Sequence, residues 1–218
     1  MASEELRVDE SGSLTDMRVL FFNGPPGSGK DTAAITTEWI LAQRGVNVEL
    51  LKFAGPIKRA VQAMFALTAR EAHELFETTD GKAQTTPLFR NSTPRSVLIS
   101  FSEAWAKPRF GSDIFGEIAF RHMLNIARRR GPHERCHFIF SDSGFQAEYD
   151  YIYERVGACS CFVVHLKRDG CAYAGDSRGY IDARSSQSVT VDNSGDKRSL
   201  YHTLNSLIAS MPFFHKSV

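Results

Sequence analysis

Residues 17–32 read Met17-Arg18-Val19-Leu20-Phe21-Phe22-Asn23-Gly24-Pro25-Pro26-Gly27-Ser28-Gly29-Lys30-Asp31-Thr32. The apolar run Val19-Leu20-Phe21-Phe22 feeds a glycine-rich turn that closes on a lysine and a hydroxyl residue. The run predicts a buried strand over 17–23, and the turn predicts a phosphate-binding loop. Gly24, Gly27 and Gly29, with Ser28 between the last two, let the backbone curl until successive N–H groups converge on phosphate oxygens. The helix opening at Lys30 adds the positive end of its dipole. Lys30 then reaches the β- and γ-phosphates of a nucleotide. Asp31 stands where the strict pattern G-x-x-x-x-G-K-[ST] has its hydroxyl, which follows one position later as Thr32. An acid in the first turn of a helix is favourable in any case.

Outward from this loop, strands and helices alternate. The spacing of Ala33, Ile35, Ile40 and Leu41 predicts a helix over 30–44 stopped by Gly45, and 46–53 reads as a second strand. A helix follows from Pro56, and Thr68-Ala69-Arg70-Glu71 is a capping box that opens another over 72–76. Residues 80–89 read as a polar loop. Thr93-Pro94 places a hydroxyl at the N-cap and a proline at N1 of a helix carrying Val97, Leu98, Phe101 and Trp105, which Pro108 is expected to end. Then come a helix from Asp113 to Arg128-Arg129-Arg130, a strand at 136–141, a helix at 146–156, a strand at 159–166, a short strand at 188–192 and a helix at 197–210. The arginine triplet fits a solvated, dipole-compensating helix end better than a nucleic-acid patch, because no aromatic residues interleave with it. This order implies an α/β fold with a parallel sheet covered by helices on both faces.

With 218 residues and no Pro/Gly/Ser-rich linker, one domain over 17–218 is expected, preceded by a loose polar tail over 1–16. The net charge of +1 argues against a nucleic-acid partner and fits small anions. No signal pattern or membrane-length apolar stretch occurs, so a cytoplasmic protein is expected. The cysteines Cys136, Cys159, Cys161 and Cys171 lack metal or redox spacing and read as reduced, mostly buried thiols.

An open parallel sheet binds ligands beyond the carboxyl ends of its strands. Asp142, after Phe138-Ile139-Phe140-Ser141, is therefore placed to support Mg2+ directly or through water, with Thr32 supplying a hydroxyl ligand. The alternative is a turn or N-cap aspartate before Gly144. Phe53-Ala54-Gly55-Pro56-Ile57-Lys58 turns from a strand end into a helix bearing a lysine in its first turn. With the loop, this segment, Thr93-Pro94-Arg95, Ser141-Asp142-Ser143-Gly144-Phe145 with Glu148, and Val191-Asp192-Asn193-Ser194-Gly195, the chain resembles the bacteriophage deoxynucleoside monophosphate kinases over most of residues 17–210. In that family the loop often reads S-G-K-D-T, as Ser28 to Thr32 do here.

The resemblance implies a P-loop kinase fold with a helical acceptor-binding insertion over 54–130 and a lid over 168–187. It implies transfer of the γ-phosphoryl group of ATP, with Mg2+, to the 5′-phosphate of a deoxynucleotide in the cytoplasm of a phage's host. Lys30, Arg95, Asp142 and Arg168 are the expected catalytic residues. Arg95, at N2 of a helix, combines a bidentate fork with backbone donors for the acceptor phosphate. Lys58 repeats that argument more weakly. Glu103, Trp105 and Arg109 are candidate base or sugar contacts, although aromatic residues at helical spacing also fill cores. Arg178 and Arg184 share the Gly- and Ser-rich stretch with Arg168, and Arg178 is a candidate substrate contact. Two other functions fit the loop: a kinase acting on a hydroxymethylated pyrimidine within DNA, and a nucleotide-binding switch with no acceptor. A homodimer is compatible with these features, and no residue pattern singles out one base.

Overall fold

A computed structural model describes residues 17–131, 135–211 and 214; the tail expected over 1–16 lies outside the described residues. In β1 (Met17–Asn23) successive side chains enter different cores, Val19 and Phe21 on one face, Leu20 and Phe22 on the other. A strand buried on both faces belongs at the centre of a sheet. β1 pairs in parallel with β3 (Cys136–Ser143) on one side and β4 (Cys161–Lys167) on the other. β2 (Val48–Leu51) and β5 (Gln187–Asp192) form the edges, giving the order β2-β3-β1-β4-β5 with every pairing parallel. This is the expected α/β architecture.

The apolar stripes of α1 (Lys30–Gln43) and α9 (Lys197–Ser210) cover the Leu20–Phe22 face. α2 (Gly55–Met64), α7 (Ile114–Arg130) and α8 (Gln146–Val156) cover the face holding Val19 and Phe21. β1 thus runs on into a helix on one face and its neighbour β3 into a helix on the other, which opens a crevice at their carboxyl ends. Ring stacking closes the floor below it: Phe140 lies 5.4 Å from Phe21 and 4.4 Å from Phe53, with Tyr149 edge-on to Phe21.

Several boundaries differ from expectation for local reasons. β2 stops at Leu51 because the next amides bond to a side chain of β3, described below. The capping box at Thr68 opens α3 (Ala69–Phe76) as expected, but the polar loop contains α4 (Thr79–Ala83), capped by Thr78, whose Oγ1 accepts the Gly81 amide at 3.0 Å. Thr93 caps α5 (Pro94–Ile99), and Pro108 does not end that helix. The chain widens into a π-helical stretch at Ser100–Ala106 and resumes as α6 (Lys107–Phe110), ending at Gly111 with φ 103°. The wider turn accommodates a ring that lacks an N–H and clashes with the preceding carbonyls. Arg130 is not merely solvated: it pairs with Glu49 of β2 at 2.7 Å. Cys136 and Cys161 are buried, Cys171 partly so, and Cys159 is exposed.

Candidate active site

The loop between β1 and α1 has the geometry its glycines require. Gly27 and Gly29 adopt φ 80° and 93°, a region costly for other residues, and a Cβ on Gly29 would stand 2.3 Å from the Asn193 amide. Asn193, at the end of β5, donates to the Ser28 carbonyl at 2.7 Å and so braces the loop from the neighbouring strand. The Lys30 ammonium folds back onto the Gly24 and Pro25 carbonyls at 2.5 and 2.9 Å. Burial, and then the nearby Arg178 guanidinium, bring its pKa down to about 8, against the pull of Asp31, Asp142 and Asp176.

Asp142 serves the crevice as a brace. Its carboxylate oxygens accept the Phe53 and Ala54 amides at 2.8 and 3.0 Å, tying the β2–α2 turn to β3. Burial raises this carboxyl above its ordinary range, opposed by those two amides. Thr32 makes no hydrogen bond to it; Asp31 is the loop residue turned toward β3, accepting the Ser141 hydroxyl at 2.8 Å. Asp31 also pairs with Lys52 at 3.1 Å, and Lys52 and Lys58 both grip Glu77, at 2.8 and 2.5 Å. Burial and then Lys58 push the Lys82 ammonium of α4 below its usual range, with Lys52 adding to the effect. Lys52, Lys58 and Lys82 therefore form a like-charge cluster beside the phosphate loop, held by Glu77 and Asp31. Lys58 was expected here. Lys52, Lys82 and Glu77 were not, since only folding joins them; the one local sign was the Thr78 cap that starts α4.

A second charged group, also coupled electrostatically to Asp142, gathers around α8. Glu148, in the first turn of α8, faces Lys107, Asp142, Glu103 and Arg178. Lys107 pairs with Glu103 at 2.9 Å and sits 3.1 Å above the Phe145 ring. The structure thus brings Glu103 beside Lys107 and Glu148 and leaves Trp105 and Arg109 at the surface. They are exposed and contact each other, the Arg109 guanidinium donating to the Trp105 carbonyl at 3.2 Å. Arg95 is exposed at the start of α5, with no bonded partner among the described residues.

Residues 168–186 carry neither helix nor strand, yet their later part is tied down. The buried Asn23 side chain donates to the Gly179 carbonyl at 2.9 Å and accepts the Ile181 amide at 3.1 Å, and the Tyr149 hydroxyl donates to the Ala183 carbonyl at 2.8 Å. Arg184 pairs outward with Asp150 of α8. Arg178 lies over Gly144, where a Cβ would come within 2.8 Å of its stem, and its guanidinium is held by Asp176 at 2.6 and 2.8 Å. Arg168 stands 3.5 Å from the Gly27 carbonyl. Lys30, Arg178 and Arg168 thus surround the phosphate loop.

Hard oxygen donors suit Mg2+, and they are present: the Thr32 hydroxyl and the Asp31 and Asp142 carboxylates, each Asp142 oxygen keeping a lone pair beyond its backbone bond. Among the described residues no helix is long and apolar enough to cross a membrane.

No protein-family model matches the sequence, and no curated protein matches it. Among solved structures the chain is similar to an APS kinase of Mycobacterium tuberculosis, at 10% identity and a TM-score of 0.44 over 90% of this chain and 100% of that one. The same enzyme has been solved with AMPPNP and APS. A sugar kinase from a Janibacter species aligns at 13% identity and a TM-score of 0.41, over 92% of this chain and 99% of that one. A gluconokinase from Sinorhizobium meliloti aligns at 10% and 0.38, over 89% and 93%. Likeness this distant carries no information on substrate.

Proposed function

We propose that the protein transfers the γ-phosphoryl group of ATP to the 5′-phosphate of a deoxynucleoside monophosphate. The observation that carries this reading is the lysine cluster. Lys52, Lys58 and Lys82 crowd together at the same sheet edge as the phosphate loop, so the crevice offers cations for two phosphate groups side by side. An uncharged hydroxyl acceptor such as a sugar has no use for a second cationic cluster and needs a base to take its proton. An acceptor phosphate is already anionic, needs no base, and needs its charge offset. The partial burial of the cluster between the sheet edge and α2 to α4 favours a small molecule over a DNA strand.

In this reading the loop amides and Lys30 hold the β- and γ-phosphates, and Arg178 and Arg168 offset the charge that spreads over the transferring oxygens. Mg2+, bound through Thr32 with Asp31 or Asp142, would screen the nucleotide phosphates. Lys52, Lys58 and Lys82 align the acceptor phosphate, and Arg95 is a further contact for it at the α4 side. The protein's work is alignment and charge placement, with water kept out by residues 168–187 acting as a lid.

A coupled assay of ATP consumption with dTMP, dGMP, dCMP, dAMP, simple sugars and hydroxymethylated DNA tests this. Turnover is expected with monophosphates, and Lys58→Ala is expected to raise the acceptor KM about tenfold or more while the ATP KM changes by less than about threefold. Turnover confined to sugars or to DNA overturns the assignment, and ATP binding with no turnover favours a switch.

A further inference from the structure

Arg178 is held from several directions at once. Its amide donates to Asp176 Oδ1 at 3.0 Å. The next residue, Gly179, is tied to the sheet, donating to the Gly144 carbonyl at 2.9 Å and accepting the Asn23 side chain at 2.9 Å. The arginine stem lies against Gly144, where a Cβ would come within 2.8 to 3.0 Å of three of its carbons. The guanidinium is gripped along one edge, Nε and Nη2 donating to the two Asp176 oxygens at 2.8 and 2.6 Å. Both side chains are largely buried, Arg178 29% and Asp176 18% exposed, so solvent screens this pair weakly.

The pair keeps two cations together that would otherwise part. Arg178 is close enough to Lys30 to depress its ammonium, and Asp176 acts on the same ammonium in the opposite sense. Asp176 also feels both, its carboxyl held below the ordinary range by Arg178 first and by Lys30 as well. The carboxylate occupies the Nε–Nη2 edge only. Among the described residues Nη1 makes no hydrogen bond, so Nη1 and the outer N–H of Nη2 form a second fork. A planar fork beside the lysine of a phosphate loop suits two oxygens of one phosphoryl group.

Resting on the phosphoryl transfer proposed above, we infer that Asp176 is a positioning residue: it holds Arg178 so that the open edge of the guanidinium meets the γ-phosphoryl oxygens during transfer. The bond from the γ-phosphorus to the bridging oxygen breaks, its electron pair leaving with ADP, while the acceptor oxygen supplies the pair for the new bond. Charge spreads over the three remaining oxygens, and a cation already oriented toward them stabilises that state without reorganising. Without Asp176, repulsion from Lys30 and the rotamer freedom of a long side chain carry the guanidinium away from the loop. Asp176 itself touches no substrate.

The test measures kcat, both KM values and the melting temperature for wild type, Asp176→Asn, Asp176→Glu, Arg178→Met and the double variant Asp176→Asn/Arg178→Met, with ATP and the monophosphate turned over fastest. Asp176→Asn is expected to lower kcat about 10- to 100-fold with both KM values within about threefold, and Asp176→Glu to recover part of the loss. In the Arg178→Met background Asp176→Asn is expected to change kcat by less than about threefold, because its effect passes through the arginine. Gly144→Ala pushes on the stem from the other side and is expected to lower kcat likewise, which serves if Asp176→Asn does not fold. A calorimetric titration with ADP, Mg2+ and aluminium fluoride, whose fluoroaluminate imitates the transferring group, needs no acceptor. Asp176→Asn is expected to bind ADP alone within about threefold of wild type and ADP with aluminium fluoride about tenfold or more weakly. Equal fluoroaluminate affinities in the two proteins, or additive losses in the double variant, overturn the positioning role alone. Wild type inactive on every monophosphate overturns the acceptor assignment, and the fluoroaluminate titration then decides the role of Asp176 by itself.

Discussion

Lys30 is buried against the carbonyls of its own loop, and with Arg178 close by its ammonium titrates near 8. On the function proposed above, phosphate oxygens replace those carbonyls when ATP binds, and their negative charge restores the protonated form. Binding near pH 8 is therefore coupled to proton uptake. Below that pH the lysine is already charged and no uptake from it is expected; above it, each binding event must supply the proton, so affinity falls as pH rises. Calorimetric titration of ATP at pH 8 in buffers of differing ionisation enthalpy is expected to show net uptake that vanishes by pH 6.5 and is absent in Lys30→Met. Equal heats across the buffers would remove Lys30 from the linkage. This residue was legible because everything that defines it is within a few positions in the sequence. Lys52 and Glu77 were not, because their meaning comes from residues brought together by β2, α3 and α4.

Among the elements, those announced by a local device were readable and those shaped by a neighbour were not. Thr68 and Thr93 cap helices where their side chains said they would, each accepting an amide three residues on. The π-helical turn before Pro108 and the early end of β2 answer to contacts elsewhere, the latter to a bond between residues 89 positions apart. Gly116 belongs to the second kind. Within a helix a glycine costs stability relative to alanine, yet here a methyl group would meet the Glu148 carbonyl at 2.7 Å and the Tyr151 Cβ at 2.8 Å. Gly116→Ala must therefore push α7 and α8 apart. We expect a loss of about 1–3 kcal/mol, and hence a melting temperature lower by about 3–10 °C, where helix propensity alone would raise it. Thermal denaturation checks the sign, and an increase would mean that the helices part without cost.

At the scale of the molecule, the five parallel strands among the described residues send their carboxyl ends to one edge, and the phosphate loop and the lysine cluster share it because each begins at a strand end. The phosphate loop follows β1, Lys52 follows β2, and the Asp31–Lys52 pair and the Asp31–Ser141 bond join the two groups directly. This adjacency predicts how a ligand spanning both behaves. Adenosine joined through a five-phosphate chain to a deoxynucleoside places its two ends in sites that separate substrates must fill independently, so the second contact forms at high effective concentration. Such a compound is expected to bind at least about 100-fold more tightly than ATP or the deoxynucleotide alone, and Lys58→Ala should abolish most of that gain while leaving ATP affinity in place. Equilibrium titration decides the matter. Affinity no better than that of ATP, in wild type, would mean that the lysine cluster does not receive the acceptor's phosphate, and the two cationic groups would then serve separate ligands.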